Sequence, residues 1–145
     1  MIQIRYVTED DSLYWFTLDR HMAESEFLLK VRDRRGYIIN DSDTPVGIMR
    51  YHLFWDNTPF LTLIYLEETH RKKGFGRQAM QFWESEMAAL GYGMVMTSTQ
   101  SDEQAQHFYR KLGYKDSGCL ILDNAPYKQP LELLMVKTLP LQNED

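Results

Sequence analysis

The sequence has one cysteine, five prolines and no long apolar run, and each scarcity excludes something. Cys119 alone cannot form an internal disulfide, so a reducing cytoplasm is the expected setting. It cannot complete a structural zinc site either. His21, His52, His70 and His107 show no metal-ligand spacing, so no metal is expected. No segment approaches the roughly 18 apolar residues of a membrane helix, which argues against a membrane partner. The opening "MIQIRYVTEDD" lacks the apolar centre of a signal peptide. Repeats, low-complexity tracts and linkers are missing too. Positive charge is in deficit: 16 Lys and Arg face 21 Asp and Glu, and a net charge of −5 argues against a nucleic-acid binder. What is present is a 145-residue chain, 43% hydrophobic, of a length that favours one globular domain over residues 1–145.

Periodicity orders the elements. "IQIRYVT" alternates as a half-buried strand does, and Thr8 precedes an acidic helix start in "EDDSLYWFTL". Glu24 to Arg34 reads as a second helix with Phe27, Leu28 and Val31 on one face and Gly36 as its stop. "YIIN" and "PVGIMRYHLF" are strands joined by "DSDTP", and "FLTLIYL" is a strand with no wet face. Gly74 to Leu90 is the clearest helix, with Phe75, Ala79, Phe82, Trp83, Met87 and Leu90 on one stripe before "GYG" ends it. "MVMTST" is the next strand. Ser101 or Asp102 then caps a short helix carrying Ala105, Phe108, Tyr109 and Leu112, closed by Gly113. "YKDSGCLIL", where Cys119 is expected as a half-buried small hydrophobe, and "LELLMVKTL" complete the chain. The order is β-α-α-β-β-β-α-β-α-β-β, a mixed α/β domain in which Phe60 to Thr99 forms a parallel strand-helix-strand crossover.

Against the acidic background, "THRKKGFGRQAM" concentrates Arg71, Lys72, Lys73 and Arg77 around Gly74 and Gly76 at the start of the longest helix. A helix start offers unpaired N–H groups and the positive end of the dipole. Glycine lets an anion approach the backbone, and nearby cations add charge-assisted hydrogen bonds. The segment suits a phosphate or pyrophosphate, or else is a solvated basic turn. A Walker A string is absent. "GFGRQA" formally fits the dinucleotide pattern G-x-G-x-x-[GA], which would make the chain an oxidoreductase, but seven residues separate Leu66 from Gly74 where that pattern needs a tight turn.

"RKKGFG" has the form [QR]-x-x-G-x-[GA], which resembles the acyl-CoA signature of the GNAT superfamily of N-acetyltransferases. "AQHFYRKLGY", Ala105 to Tyr114, resembles that family's A-x-x-F-Y-x-x-x-G-[FY] pattern on the helix after the next strand. The resemblance implies a mixed sheet flanked by helices and an enzyme that moves an acetyl group from acetyl-CoA, its cosubstrate, to a primary amine of a small molecule or peptide. Ile64, Tyr65 and Leu66 would meet the pantetheine arm and thioester by backbone bonds. Arg71, Lys72, Lys73, Gly74, Phe75, Gly76 and Arg77 would surround the pyrophosphate, with main-chain N–H groups from Lys72 onward. Asp102 occupies the position of an Asn that touches pantetheine in many members, with Ser101 and Gln104 beside it. Tyr109 would protonate the leaving thiolate.

A glutamate that some members carry on the strand after the long helix corresponds here to Thr97. Glu67 and Glu68 are therefore the nearest acidic candidates for a base, ahead of His52, Asp56 and His70. The acceptor region includes Trp15, Tyr51, Trp55 and Asp56, aromatics and a carboxylate suited to a cationic amine. A homodimer is compatible with the resemblance and demanded by no residue. The absent strand glutamate keeps open an alternative, a non-catalytic acyl-CoA-binding module or sensor.

Overall fold

Alternation in the first strands sets two faces, and the computed structural model, which describes residues 1–140, fills both. Residues 141–145 of the expected single domain lie outside the described part. The strands are β1 (Ile2–Tyr6), β2 (Gly36–Asp41), β3 (Thr44–Phe54), β4 (Thr58–Leu66), β5 (Met94–Gln100), β6 (Lys115–Leu120) and β7 (Glu132–Thr138). The helices are α1 (Ser12–Leu18), α2 (Glu24–Asp33), α3 (Phe75–Ala89) and α4 (Ala105–Lys111), with 3₁₀ turns at Glu9–Asp11 and Glu68–His70. The strands form one mixed seven-stranded sheet in the order β1-β2-β3-β4-β5-β7-β6. The chain divides into two compact units.

The first unit comprises Met1–His52 and Thr62–Trp83. β1 and β3 flank β2 antiparallel, with Ile4 opposite Ile39 and Ile38 opposite Ile48. Because side chains alternate across a strand, Ile38 and Ile48 join Val7, Trp15 and Phe27 in one buried cluster under α1 and α2. Tyr37 turns the other way, stacking on Tyr51 at 6.3 Å, and Tyr51 meets Trp83 of α3 at 5.8 Å. Asp11 opens the first helical segment by accepting from the Thr8 N–H at 2.8 Å and from both Arg5 terminal nitrogens at 2.8 Å. The arginine holds its carboxyl below the ordinary carboxylate range.

The second unit comprises Leu53–Leu61 and the chain from Glu84 onward. β4 and β5 pair in parallel at Phe60↔Met96 and Leu61↔Thr97, as the crossover requires. β7 inserts between β5 and β6, matching β5 over seven residue pairs from Met94↔Thr138 to Gln100↔Glu132. Glu84, 8% exposed, accepts from the Tyr114 hydroxyl at 2.8 Å and from Lys137 at 2.7 Å, tying α3 to β7.

Several expectations are corrected. The stop of α2 is Arg34, in the left-handed region at φ 56°, while Gly36 already begins β2. Leu28 is exposed, because only Phe27 and Val31 reach the core from that helix. Met80 belongs to the buried stripe of α3, and Leu90 does not. Thr62 and Tyr65, on opposite faces of β4, are both exposed. Cys119 is exposed, since β6 presents all six residues to solvent. No helix among the described residues is long and apolar enough to cross a membrane.

Candidate active site

The basic turn leaves the 3₁₀ segment with Lys72 at φ +61° and Gly74 at φ +80°. The first hydrogen bond into α3 runs from the Gln78 N–H to the Gly74 carbonyl at 3.1 Å. The N–H groups of Phe75, Gly76 and Arg77 therefore have no acceptor within the helix. A Cβ placed on Gly74 would meet only Gln78 Nε2, at 4.0 Å, so the space over the turn is open. Lys72, Lys73 and Arg77 are exposed around it. Three free donors, a dipole end, an open approach and three solvent-facing cations fit a pyrophosphate.

Arg71 has a different job. Its Nε donates to the Leu66 carbonyl at 2.9 Å and its guanidinium lies 5.0 Å over the Tyr65 ring. It fastens the turn to the end of β4 and occupies an acceptor that Leu66 was expected to offer a ligand. His70 is likewise engaged, with Nδ1 3.0 Å from Thr69 Oγ1 and its ring stacked on Phe75 at 6.3 Å. Ile64 and Leu66 are half-buried. Gly47 of β3 is needed beside them: a Cβ there would sit 2.6 Å from the Tyr65 carbonyl oxygen.

The two acidic candidates separate cleanly. Glu67 is half-buried, its N–H bonded to the Val46 carbonyl at 2.8 Å and its Oε2 accepting from the Tyr14 hydroxyl at 3.0 Å. Burial, then the bond and charge of Glu67, raise the Tyr14 phenol far above its ordinary value, so Tyr14 remains a donor. Glu68 is exposed on the 3₁₀ turn.

In the second unit, Tyr109 is 6% exposed, with Phe108 at 5.3 Å and Tyr114 at 5.7 Å. Burial pushes its phenol up to about 12; a hydrogen bond with Thr97 draws it down and the charge of Glu103 raises it. Thr97 is itself committed, donating to the Leu61 carbonyl at 3.0 Å. A buried group there with one hydroxyl can position a neighbour but cannot serve as a base at neutral pH. Asp102 is exposed and does not cap α4, whose first flanking residue is Gln104. The loop is fixed instead by Glu103, accepting from the Gln100 N–H at 3.1 Å, and by Gln106, donating to the Ser101 carbonyl at 2.9 Å.

Of the expected acceptor contacts, Trp15 and Tyr51 are corrected: both are core residues, 0% and 4% exposed. The Trp15 indole donates to Asp19 at 3.2 Å. Trp55 and Asp56 sit at the exposed β3–β4 turn, both at positive φ, with Trp55 against Phe54 at 4.7 Å. Sequence reasoning missed a groove of about 470 Å³ in the first unit, bordered by His21, Glu26, Lys30, Arg50 and His52. Its residues come from distant segments and carry no local signature. Among the described residues, no three His, Cys, Asp or Glu side chains group as metal ligands.

Comparison with known proteins gives a family and a fold. The profile of the Acetyltransferase (GNAT) family matches residues 4–114. Ard1 from Thermoplasma volcanium superposes with a TM-score of 0.83 at 16% identity, covering 96% of this chain and 98% of that one. The ribosomal-protein-S18-alanine N-acetyltransferase from Escherichia coli gives 0.81 at 14% identity, covering 100% and 98%. A GNAT family acetyltransferase from Elizabethkingia anophelis with acetyl-CoA bound gives 0.77 at 15% identity, covering 95% and 98%. None of the curated protein sequences matches this chain.

Proposed function

The chain belongs to the GNAT acetyltransferase family, and from that premise we propose that it transfers an acetyl group from acetyl-CoA to a primary amine of a small molecule or peptide. The observation that carries the proposal is the open turn over Gly74, with three N–H groups that have no acceptor among the described residues, set among exposed cations. Lys72 through Arg77 hold the pyrophosphate chiefly by main chain, and Ile64 and Tyr65 guide the pantetheine arm.

The thioester supplies an activated acyl carbon, and the chain's own residues manage the protons. An ammonium has no lone pair, so Glu67, oriented by Tyr14, takes the proton that frees the amine. The amine nitrogen bonds to the acyl carbon, the carbon–sulfur bond breaks, the nitrogen sheds its remaining extra proton to solvent, and the thiolate leaves toward Tyr109. A phenol near 12 is protonated at rest throughout the working range, and so is ready to donate. Full transfer to a thiolate, whose conjugate acid is near 8.5, is uphill by roughly three pKa units. The hydrogen bond from Tyr109 therefore carries most of the stabilisation, and proton transfer accompanies departure of the sulfur. The exposed free thiol of Cys119 supports a reducing cytoplasm as the setting.

The test is release of free thiol from acetyl-CoA across a panel of amines, paired with calorimetry of CoA and NAD. Amine-dependent thiol release is expected. Tight CoA binding with no turnover would favour the sensor reading motivated by Thr97. NAD binding without CoA binding would overturn both.

A further inference from the structure

The groove in the first unit is bordered by two cations, Lys30 and Arg50, although the chain as a whole is acidic. Arg50, its side chain 14% exposed, donates through Nε to Asp19 at 2.8 Å. Asp19 accepts two further bonds, from the Trp15 indole at 3.2 Å and the His21 N–H at 3.2 Å. This buried carboxylate fixes the guanidinium and offsets part of its charge. The two terminal nitrogens of Arg50 find no acceptor among the described residues, so a planar fork remains available.

Lys30 is then in excess. It spends one proton on the Tyr51 carbonyl at 3.0 Å and keeps two donors. Burial, followed by repulsion from Arg50 and Arg35, lowers its pKa, and the attraction of Glu26 and Asp33 is smaller. His52 senses the same field: burial, then Lys30, Arg50 and Arg35, lower its pKa. Among the described residues that border the groove, Lys30 and Arg50 stand against the carboxylate of Glu26. A volume near 470 Å³ suits part of a small molecule or a residue of a peptide.

The groove also adjoins the elements assigned to chemistry. His52 Nδ1 lies 2.6 Å from Thr62 Oγ1, two residues before Ile64 on β4. Asp19, which orients Arg50, directly follows α1, the helix that supplies Tyr14 to Glu67.

We propose that this groove binds a carboxylate carried by the amine acceptor, with Arg50 and Lys30 as its donors, so that the preferred acceptors are amines bearing an acid group rather than polycations. The assignment of the ligand to an acceptor rests on the transferase reading above.

The experiment compares matched amines that differ only in carboxylate against carboxamide, by acetyl-transfer kinetics and by calorimetry in the presence of CoA. The acid is expected to be favoured about tenfold in kcat/KM, the scale of one charge-assisted hydrogen bond gained. Lys30→Gln should bring the acid-to-amide ratio near unity, and Glu26→Gln should widen it. Because the two variants move in opposite directions, loss of folding cannot mimic the result. Equal use of acid and amide, a preference for polyamines, or no binding of the acid would overturn the inference. Lys30-dependent binding of the acid with no acetyl transfer to any amine would leave the groove standing and remove the transferase reading instead.

Discussion

The turn over Gly74 and the buried side chain of Tyr109 solve opposite problems. The turn is wet, and its donors are main-chain groups that no side-chain change removes. Tyr109 is dry, and everything assigned to it passes through one hydroxyl. Charge is spread over Lys72, Lys73 and Arg77 in the first case, whereas in the second the absence of solvent holds a neutral proton donor in place. Redundancy in one region and singularity in the other should appear directly in substitution experiments.

The largest effect is expected from Tyr109→Phe, which removes the hydroxyl and keeps the ring. Turnover should fall about 10²-fold while calorimetry finds CoA affinity retained; a fall in affinity with turnover preserved would reverse the assignment. The same burial predicts a pH signature. The folded phenol stands near 12, above its ordinary value near 10. Folding therefore favours the protonated form, and this stabilisation is intact below about pH 10 and lost as pH rises through about 12. In alkaline denaturation, Tyr109→Phe should flatten that loss.

Glu67→Gln comes next. A loss of about 10²-fold in kcat/KM is expected, against less than about twofold for Glu68→Gln. Equal effects from the two would dissolve the distinction drawn from the Tyr14 bond. In the turn, Gly74→Val forces a β-branched residue to φ +80° and fills the open approach. CoA affinity should drop about tenfold, the loss of roughly one charge-assisted hydrogen bond, by calorimetry. The smallest changes belong to Lys72→Ala and Lys73→Ala: about two- to fivefold each, shrinking as salt is added, since both charges are solvated.

Local signals were legible where chemistry is local. The strand and helix order follows from apolar periods of two and 3.6, and the turn at Gly74 is read from residues adjacent in the chain. Burial was harder, because it depends on what arrives from elsewhere. Trp15 looks the same in sequence whether it faces a substrate or Asp19, and Tyr51 is claimed by Tyr37 and Trp83 only through the register of β2 on β3. Asp102 had the residue type of a cap, yet Glu103 and Gln106 reach the backbone first. The Lys30–Arg50 groove was invisible for the same reason: a helix and a strand supply its charges, and neither carries a motif.

The interior position of β7 has a consequence for synthesis. Residues 132–138 supply the partner for both β5 and β6. While the chain is still on the ribosome, those two strands wait with open edges for a segment that emerges more than thirty residues after β5 ends. The second unit therefore closes late, and any pause before codon 132 prolongs the interval in which it is exposed to chaperones and to aggregation.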